Sequence, residues 1–331
     1  MTRSAVVAIA LAIGVTVGVT VGVTVGVLAL TGREAVAEDM SGADLTAPPP
    51  ASEENIPAVL SGTLKKVRDS GAITIGYREA SFPFSFVRPG APRPLGYSID
   101  LCLGVIEEIV RELHGEAIRV AFAPVTSDTR IEAVRSGAVD LECGSTTGNF
   151  ERQKSVAFSP IIYVAGTKLM VKRASGIRSY HDLGGKTLVV TSGTTNEAAM
   201  KQLNDKYRLG ITVVAARDHD ESYAMLADGR ADAFATDDVL LYGFIAARKA
   251  AATLAVVGDF ITYEPYGLMF RRDDPLMATA VTRAFITMAR TRALASTYRR
   301  WFLQPAPTGE LLNLPMSVQL AEVFRGMGAE D

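Results

Sequence analysis

From Leu64 onward, short apolar stretches alternate with longer stretches in which apolar and charged residues take opposite faces. Ile73-Thr74-Ile75-Gly76-Tyr77 alternates with period two, which predicts a strand. Cys102, Ile106, Ile109, Val110 and Leu113 recur at helical spacing, with Glu107, Glu108, Arg111 and Glu112 on the other face. They predict a helix over 98–113, started at Ser98 and stopped at Gly115. Strands are predicted at 118–122 and 139–143, around a helix at 130–136. After Pro160 the pattern resumes, with strands at 188–191, 211–215 and 231–235 and helices at 195–207, 221–227 and 239–248. This alternation predicts parallel sheets covered by helices.

The start of the chain is different. Thr2-Arg3 precedes an uncharged apolar run over 5–30, and Ala35-Val36-Ala37 offers a small-x-small cleavage pattern. Residues 1–37 read as a signal peptide, or as a membrane anchor if they stay uncleaved. Both readings put the remainder outside the cytoplasm. No cysteine precedes Cys102, so a lipid tether near the N-terminus has no acceptor, and a periplasm is the expected compartment. Residues 38–59 are acidic, contain Pro48-Pro49-Pro50 and read as a linker.

Composition narrows the function classes. The net charge is -2 and no basic stripe occurs, which argues against a nucleic-acid partner. The two cysteines, Cys102 and Cys143, are read either as a disulfide suited to an oxidising compartment or as buried thiols. His114, His181 and His219 lie at no metal-ligand spacing, so neither a metal nor another cofactor is expected.

A weak internal echo bears on architecture. Ser136-Gly137-Ala138-Val139-Asp140 leads into a strand ending at Gly144-Ser145-Thr146-Thr147, and Asp228-Gly229-Arg230-Ala231-Asp232 leads into one ending at Thr236-Asp237-Asp238. Ligands of open α/β sheets sit beyond the carboxyl ends of strands. Two such sheets would present two polar lips to one cleft. The passages 159–165 and 259–264 read as connections between them. Lobe 1 is expected over 60–162, lobe 2 over 163–260, and the return to lobe 1 with C-terminal helices over 261–331.

Polar residues cluster at the predicted strand ends. Arg78, Ser127, Arg130, Ser145, Thr147 and Arg152 belong to the first lobe, and Thr195, His219 and Asp237 to the second. Arginines and a helix start at Thr195 suit carboxylates, and an aspartate suits an ammonium group. Each also has a plainer reading. The arginines would be solvated or capping residues, His219 structural, and Asp237 a cap for the helix starting at Val239.

Glu142-Cys143-Gly144-Ser145-Thr146-Thr147-Gly148-Asn149-Phe150-Glu151-Arg152-Gln153-Lys154 resembles a signature of the glutamate/aspartate-binding proteins of ABC importers, within the extracellular solute-binding proteins, family 3. Tyr77-Arg78-Glu79-Ala80-Ser81, Gly96-Tyr97-Ser98-Ile99-Asp100, Val190-Thr191-Ser192-Gly193-Thr194-Thr195 and Arg217-Asp218-His219 are similar to further family stretches, in family order. The resemblance covers roughly residues 62–305. Gly148 and Phe150 depart from it, standing where relatives often carry Asn and a smaller aliphatic residue.

The resemblance implies a type II periplasmic-binding-protein fold: two α/β lobes, each a sheet flanked by helices, joined by two crossover strands. It implies a monomeric receptor that hands L-glutamate or L-aspartate to an importer permease. Arg152, Thr147 and Thr195 would clamp the α-carboxylate. Asp237 and Ser145 would take the ammonium group, and Arg78, Arg130, Ser127 and His219 would surround the side-chain carboxylate. A Cys102–Cys143 bridge is expected in the first lobe.

Two other classes compete. One is a family 3 enzyme of the cyclohexadienyl dehydratase type, with Glu79 and Glu142 as the nearby acid/base candidates. The other is the ligand-sensing subunit of a signalling system.

Overall fold

The structure is a computed structural model that describes residues 59–115 and 117–329. The signal peptide or anchor expected in 1–37 and the linker expected after it, up to residue 58, lie outside the described residues.

In chain order the first elements are α1 (Gly62–Ser70), β1 (Ala72–Tyr77), β2 (Ala80–Ser81), β3 (Ser85–Phe86), α2 (Tyr97–Glu112), β4 (Arg119–Pro124), α3 (Arg130–Arg135), β5 (Leu141–Glu142), α4 (Phe150–Gln153) and β6 (Val156–Phe158). The chain crosses over through β7 (Tyr163–Ala165). It then forms β8 (Thr167–Lys172), β9 (Thr187–Thr191), α5 (Thr195–Tyr207), β10 (Thr212–Ala216), α6 (His219–Ala227), β11 (Ala233–Asp237), α7 (Asp238–Ala247) and β12 (Leu254–Val257). It returns through β13 (Glu264–Tyr266) to β14 (Met269–Arg271), and α8 (Pro275–Arg290), α9 (Ala293–Tyr298) and α10 (Val318–Gly326) follow.

Two five-stranded sheets result, ordered β4-β1-β5-β14-β6 and β10-β9-β11-β8-β12. Each holds three parallel strands, β4-β1-β5 in one and β10-β9-β11 in the other. In each, the fourth strand is antiparallel to both neighbours: β14 in the first, β8 in the second. Wholly parallel sheets, expected from the alternation, are thus corrected to mixed ones.

The reason lies in where β8 and β14 enter. Both arrive from a crossover strand at the edge where the parallel trio ends, so they must run back against it. Thr167, which opens β8, pairs with Asp237, which closes β11. Met269, which opens β14, pairs with Glu142, which closes β5. The echo noted in the sequence therefore falls on β5 and β11, which occupy the same place in the two sheets.

The crossover strands β7 and β13 pair with each other and are pinned to the first lobe by aromatic rings. Phe84 meets Tyr163 and Tyr266 edge-on, with centroids 5.2 and 5.0 Å apart, and Phe302 stacks on Tyr163 at 5.0 Å. The Tyr97 hydroxyl donates to the Ile162 carbonyl at 3.0 Å. Such buried ring pairs add about 0.5–1.5 kcal/mol each beyond area burial. They hold firm the ground from which both site-bearing sheets depart.

Two element starts differ from expectation. α2 begins at Tyr97, and Ser98 does not cap it, because its hydroxyl donates to the Gly144 carbonyl at 2.8 Å. α6 begins at His219 because Asp218 is its cap, accepting from the Glu221 N–H at 2.8 Å. Cys102 in α2 and Cys143, just after β5, are joined in a disulfide with their Cα atoms 6.3 Å apart. It ties a helix to the strand end that leads into the Gly144–Thr147 loop. Among the described residues, no helix is long and apolar enough to cross a membrane.

Candidate functional site

The carboxyl ends of the six parallel strands face one another, and the residues just past them converge. Arg78 follows β1, Ser127 follows β4, Ser145 and Thr147 follow β5, and His219 follows β10. Asp237 closes β11, and Thr195 opens α5 after β9. Together with Arg130, Thr194, Asn196 and Leu240 they line a tight cavity of about 10 Å³, room for little more than one water.

Eight of the nine residues singled out from sequence line this cavity; Arg152 does not. Arg152 sits at its edge and spans the lobes, donating to the Thr147 carbonyl at 3.0 Å and the Gly193 carbonyl at 3.4 Å.

The lobes are closed on each other here. The Ser192 hydroxyl donates to Asp128 Oδ1 at 3.2 Å across the cleft. Gly193, with φ +70°, accepts this approach: a Cβ there would meet the Asp128 carboxylate and lie 2.9 Å from the Asp128 nitrogen. The Tyr266 hydroxyl, on the returning crossover strand, donates to Asp237 Oδ2.

One end of the cavity is cationic. Arg78 and Arg130 are 3% and 2% exposed. Burial lowers the pKa of both, and the neighbouring Arg130 charge helps bring Arg78 down to about 10. Arg130 Nη1 donates to the Thr146 hydroxyl at 2.7 Å, and that hydroxyl donates to buried Glu142 Oε2 at 2.7 Å. Gly144 makes room for this arrangement, since a Cβ would press on Glu142 Oε1 and stand 2.8 Å from Arg78 Cγ. One carboxylate thus faces two guanidinium groups. Arg78 Nη1, Arg130 Nε and Ser127 Oγ are buried with no hydrogen-bond partner. His219 Nδ1 lies 2.8 Å from the Thr191 hydroxyl. Burial, then Arg78 and Arg130, hold its pKa well below the ordinary value, so the ring is neutral at pH 7.

The other end mixes signs. Asp237 stands at the cap position of α7, but its side chain does not cap that helix. It accepts from Asn196 Nδ2 at 2.7 Å and from Tyr266. Burial, and then the nearby Glu264 carboxylate, push its pKa up to about 7. Arg152 is brought down to about 9 by burial and by Arg130. Thr194 caps α5, accepting from the Glu197 N–H at 3.1 Å, so the helix points its N-terminus at the cavity beside Thr195. Glu264, not singled out from sequence, is buried in β13 and accepts from the Thr147 and Thr195 hydroxyls, each at 2.7 Å. The one signal for it was an acidic residue beside Pro265-Tyr266 in a passage read only as a connection. Among the described residues, no group of three His, Cys, Asp or Glu side chains is placed to hold a metal ion.

Known proteins share this design. The model of the bacterial extracellular solute-binding proteins, family 3, matches residues 73–304. An L-glutamate/L-aspartate-binding protein of Pseudomonas aeruginosa is 43% identical over 266 residues, covering 80% of this chain and 88% of that one. A glutamate/aspartate import solute-binding protein of Salmonella typhimurium is 38% identical over 276 residues, covering 83% and 90%. Among solved structures, an ancestral amino-acid-binding protein, a precursor of cyclohexadienyl dehydratase, superposes with a TM-score of 0.62 at 28% identity, covering 72% of this chain and 99% of that one. With two mixed α/β lobes joined by paired crossover strands, the chain belongs to the bacterial extracellular solute-binding proteins, family 3.

Proposed function

We propose that this protein is a periplasmic receptor that closes on glutamate or aspartate and presents it to the permease of an ABC importer. The observation that carries the reading is the pair of buried arginines, Arg78 and Arg130, which with Ser127 line the cavity and carry buried donors without partners. A buried donor without a partner costs roughly 1–3 kcal/mol, and more when charged. A carboxylate at the cationic end relieves all three. The 43%-identical relative named for the same two amino acids supports this choice of ligand.

In this reading the α-carboxylate lies between Arg152 and the start of α5, and the ammonium group on Asp237 with Ser145 nearby. With Nδ1 accepting from the Thr191 hydroxyl, the neutral His219 ring carries its hydrogen on Nε2 and adds a donor beside the distal carboxylate. Exported residues 60–162 and 261–331 form one lobe and 163–260 the other, and the chain works as a monomer. The reading is non-enzymatic, because neither acid/base candidate, Glu79 or Glu142, lines this cavity. A thermal-shift panel of the common amino acids tests it. Glutamate or aspartate at 100 times its Kd is expected to stabilise the protein by about 2.7 kcal/mol, a rise of several degrees. Equal stabilisation by neutral amino acids would exclude the reading.

Asp237 adds a pH dependence. An acid held at about 7 is mostly protonated at pH 6, and an arriving ammonium group favours its ionised form. Binding should therefore release a proton below pH 7 and weaken as pH falls. Glutamate affinity is expected to be about tenfold lower at pH 6 than at pH 8. Calorimetry at pH 6 in buffers of different ionisation enthalpy should show about one proton released. An affinity flat from pH 8 to 6 would remove Asp237 from the ammonium site.

A further inference from the structure

We propose that a second cavity, between the β2–β3 hairpin of the first lobe and α7 of the second, binds a small organic ammonium ion with an apolar body, and that its occupant favours the closed form. The inference goes beyond the acidic amino-acid reading and uses none of the residues assigned to that ligand.

This cavity measures about 380 Å³, within the roughly 300–1,000 Å³ range of small-molecule sites. Much of its wall is apolar. Phe82, Phe86 and Val87 come from the first lobe, and Phe244 and Ala247 from α7. Phe82 and Phe86 meet edge-on with centroids 5.0 Å apart, and Phe244 is buried. Gly243 lets the helix come this close, since a Cβ there would stand 2.6 Å from the Phe82 carbonyl oxygen. The two walls belong to different lobes, so a molecule touching both gains all its contacts only when the cleft is closed. Such a molecule and glutamate favour the same state, and each raises the other's affinity by the same factor.

Charge selects the ligand. Three carboxylates, Glu79, Asp220 and Glu310, and two guanidinium groups, Arg88 and Arg248, line the cavity and leave one negative charge in excess. Both arginines are already engaged. Arg88 Nη2 donates to Glu310 Oε1 at 2.6 Å and to the Thr308 carbonyl at 2.8 Å. Arg248 Nη2 donates to Asp220 Oδ1 at 2.8 Å. An anion would have to displace those carboxylates. A cation instead meets the exposed Glu79 carboxylate and Glu310, whose Oε2 is buried with no hydrogen-bond partner. Phenylalanine faces also attract an ammonium group, and the apolar walls favour a hydrocarbon body behind it.

Phenethylamine is the probe, and 2-phenylethanol and 3-phenylpropionate carry the same ring on a neutral and an anionic end. Calorimetric titration is expected to show phenethylamine binding about fivefold or more tightly than either. Saturating phenethylamine should raise glutamate affinity about threefold or more, and saturating glutamate should raise phenethylamine affinity by the same factor. Ala247→Trp fills the cavity from an exposed position of α7 and should abolish phenethylamine binding. Glu79→Gln and Glu310→Gln should each weaken it about threefold. All three variants should bind glutamate alone within about threefold of the wild type. Equal binding of the alcohol or the acid overturns the proposal, as does phenethylamine binding that survives Ala247→Trp. Glutamate affinity that falls or stays constant as phenethylamine is added overturns it too, since the amine would then compete for the amino-acid cavity or leave closure unaffected. A wild-type protein that ignores glutamate would sink the acidic amino-acid reading instead, and the three aromatic probes with Ala247→Trp would still decide this site.

Discussion

Arg78→Ala is expected to weaken glutamate binding by about 100-fold or more while leaving glutamine binding within about threefold. Breaking one side of a buried charge pair costs roughly 3–5 kcal/mol, because the remaining charge stays desolvated. Glutamate would face that penalty in the variant. Glutamine would not, since its amide never had a charge to pair. Arg78 fits this role because its guanidinium is buried and Nη1 has no hydrogen-bond partner within the protein. Arg152→Ala should behave differently. It stands at the head-group end, joining the Thr147 and Gly193 carbonyls across the cleft. Its loss should weaken every amino acid alike. Calorimetric titration of the two variants with glutamate and glutamine separates the roles. A glutamate/glutamine ratio untouched by Arg78→Ala would show that the distal carboxylate lies elsewhere.

Closure on ligand is the second large effect. The closed arrangement buries Arg78 Nη1, Arg130 Nε and Ser127 Oγ without partners, and opening the cleft would return water to them. A ligand that satisfies these donors binds the closed form more tightly than the open one, and that difference shifts the population. Small-angle scattering is expected to show a smaller radius of gyration once glutamate saturates the protein. The moving parts should be the residues on the second-lobe side of β7 and β13, since the strands themselves are pinned to the first lobe, with each lobe rigid. Asp237→Ala should weaken glutamate by about 10- to 150-fold, from the roughly 1.5–3 kcal/mol of a hydrogen bond to a charged group, and should shift compaction to higher glutamate. A scattering curve indifferent to saturating glutamate would mean that ligand does not drive closure.

Much of this was legible in the chain, and the unread parts share a cause. α5 spans Thr195–Tyr207, the range its pattern predicts, because a cap, an amphipathic run and a turn all agree there. The parallel strands stand out because each is an apolar run between helices. β8 and β14 hid their direction, since periodicity along a strand does not say which way its neighbour runs. Short β6 and β12 carry too few residues to show a period. The cavity was readable to the extent that its residues follow strand ends. Glu264 and Tyr266 escaped because they sit within a crossover strand, where sequence suggested a connection and nothing more. Asn196 escaped because it is the second residue of a helix, hidden beside the threonines that drew attention. The threonine hydroxyls were expected to meet a carboxylate of the ligand, and only the fold places a protein carboxylate against both.

The central claim, that a small cavity between the lobes selects an acidic amino acid, is tested most directly by titrating the wild-type protein with glutamate, aspartate and glutamine under one set of conditions. The buried, unpartnered donors of Arg78, Arg130 and Ser127 predict that glutamate or aspartate binds at least ~100-fold tighter than glutamine, a difference of about 3 kcal/mol. Glutamine binding as tightly as glutamate would contradict the account.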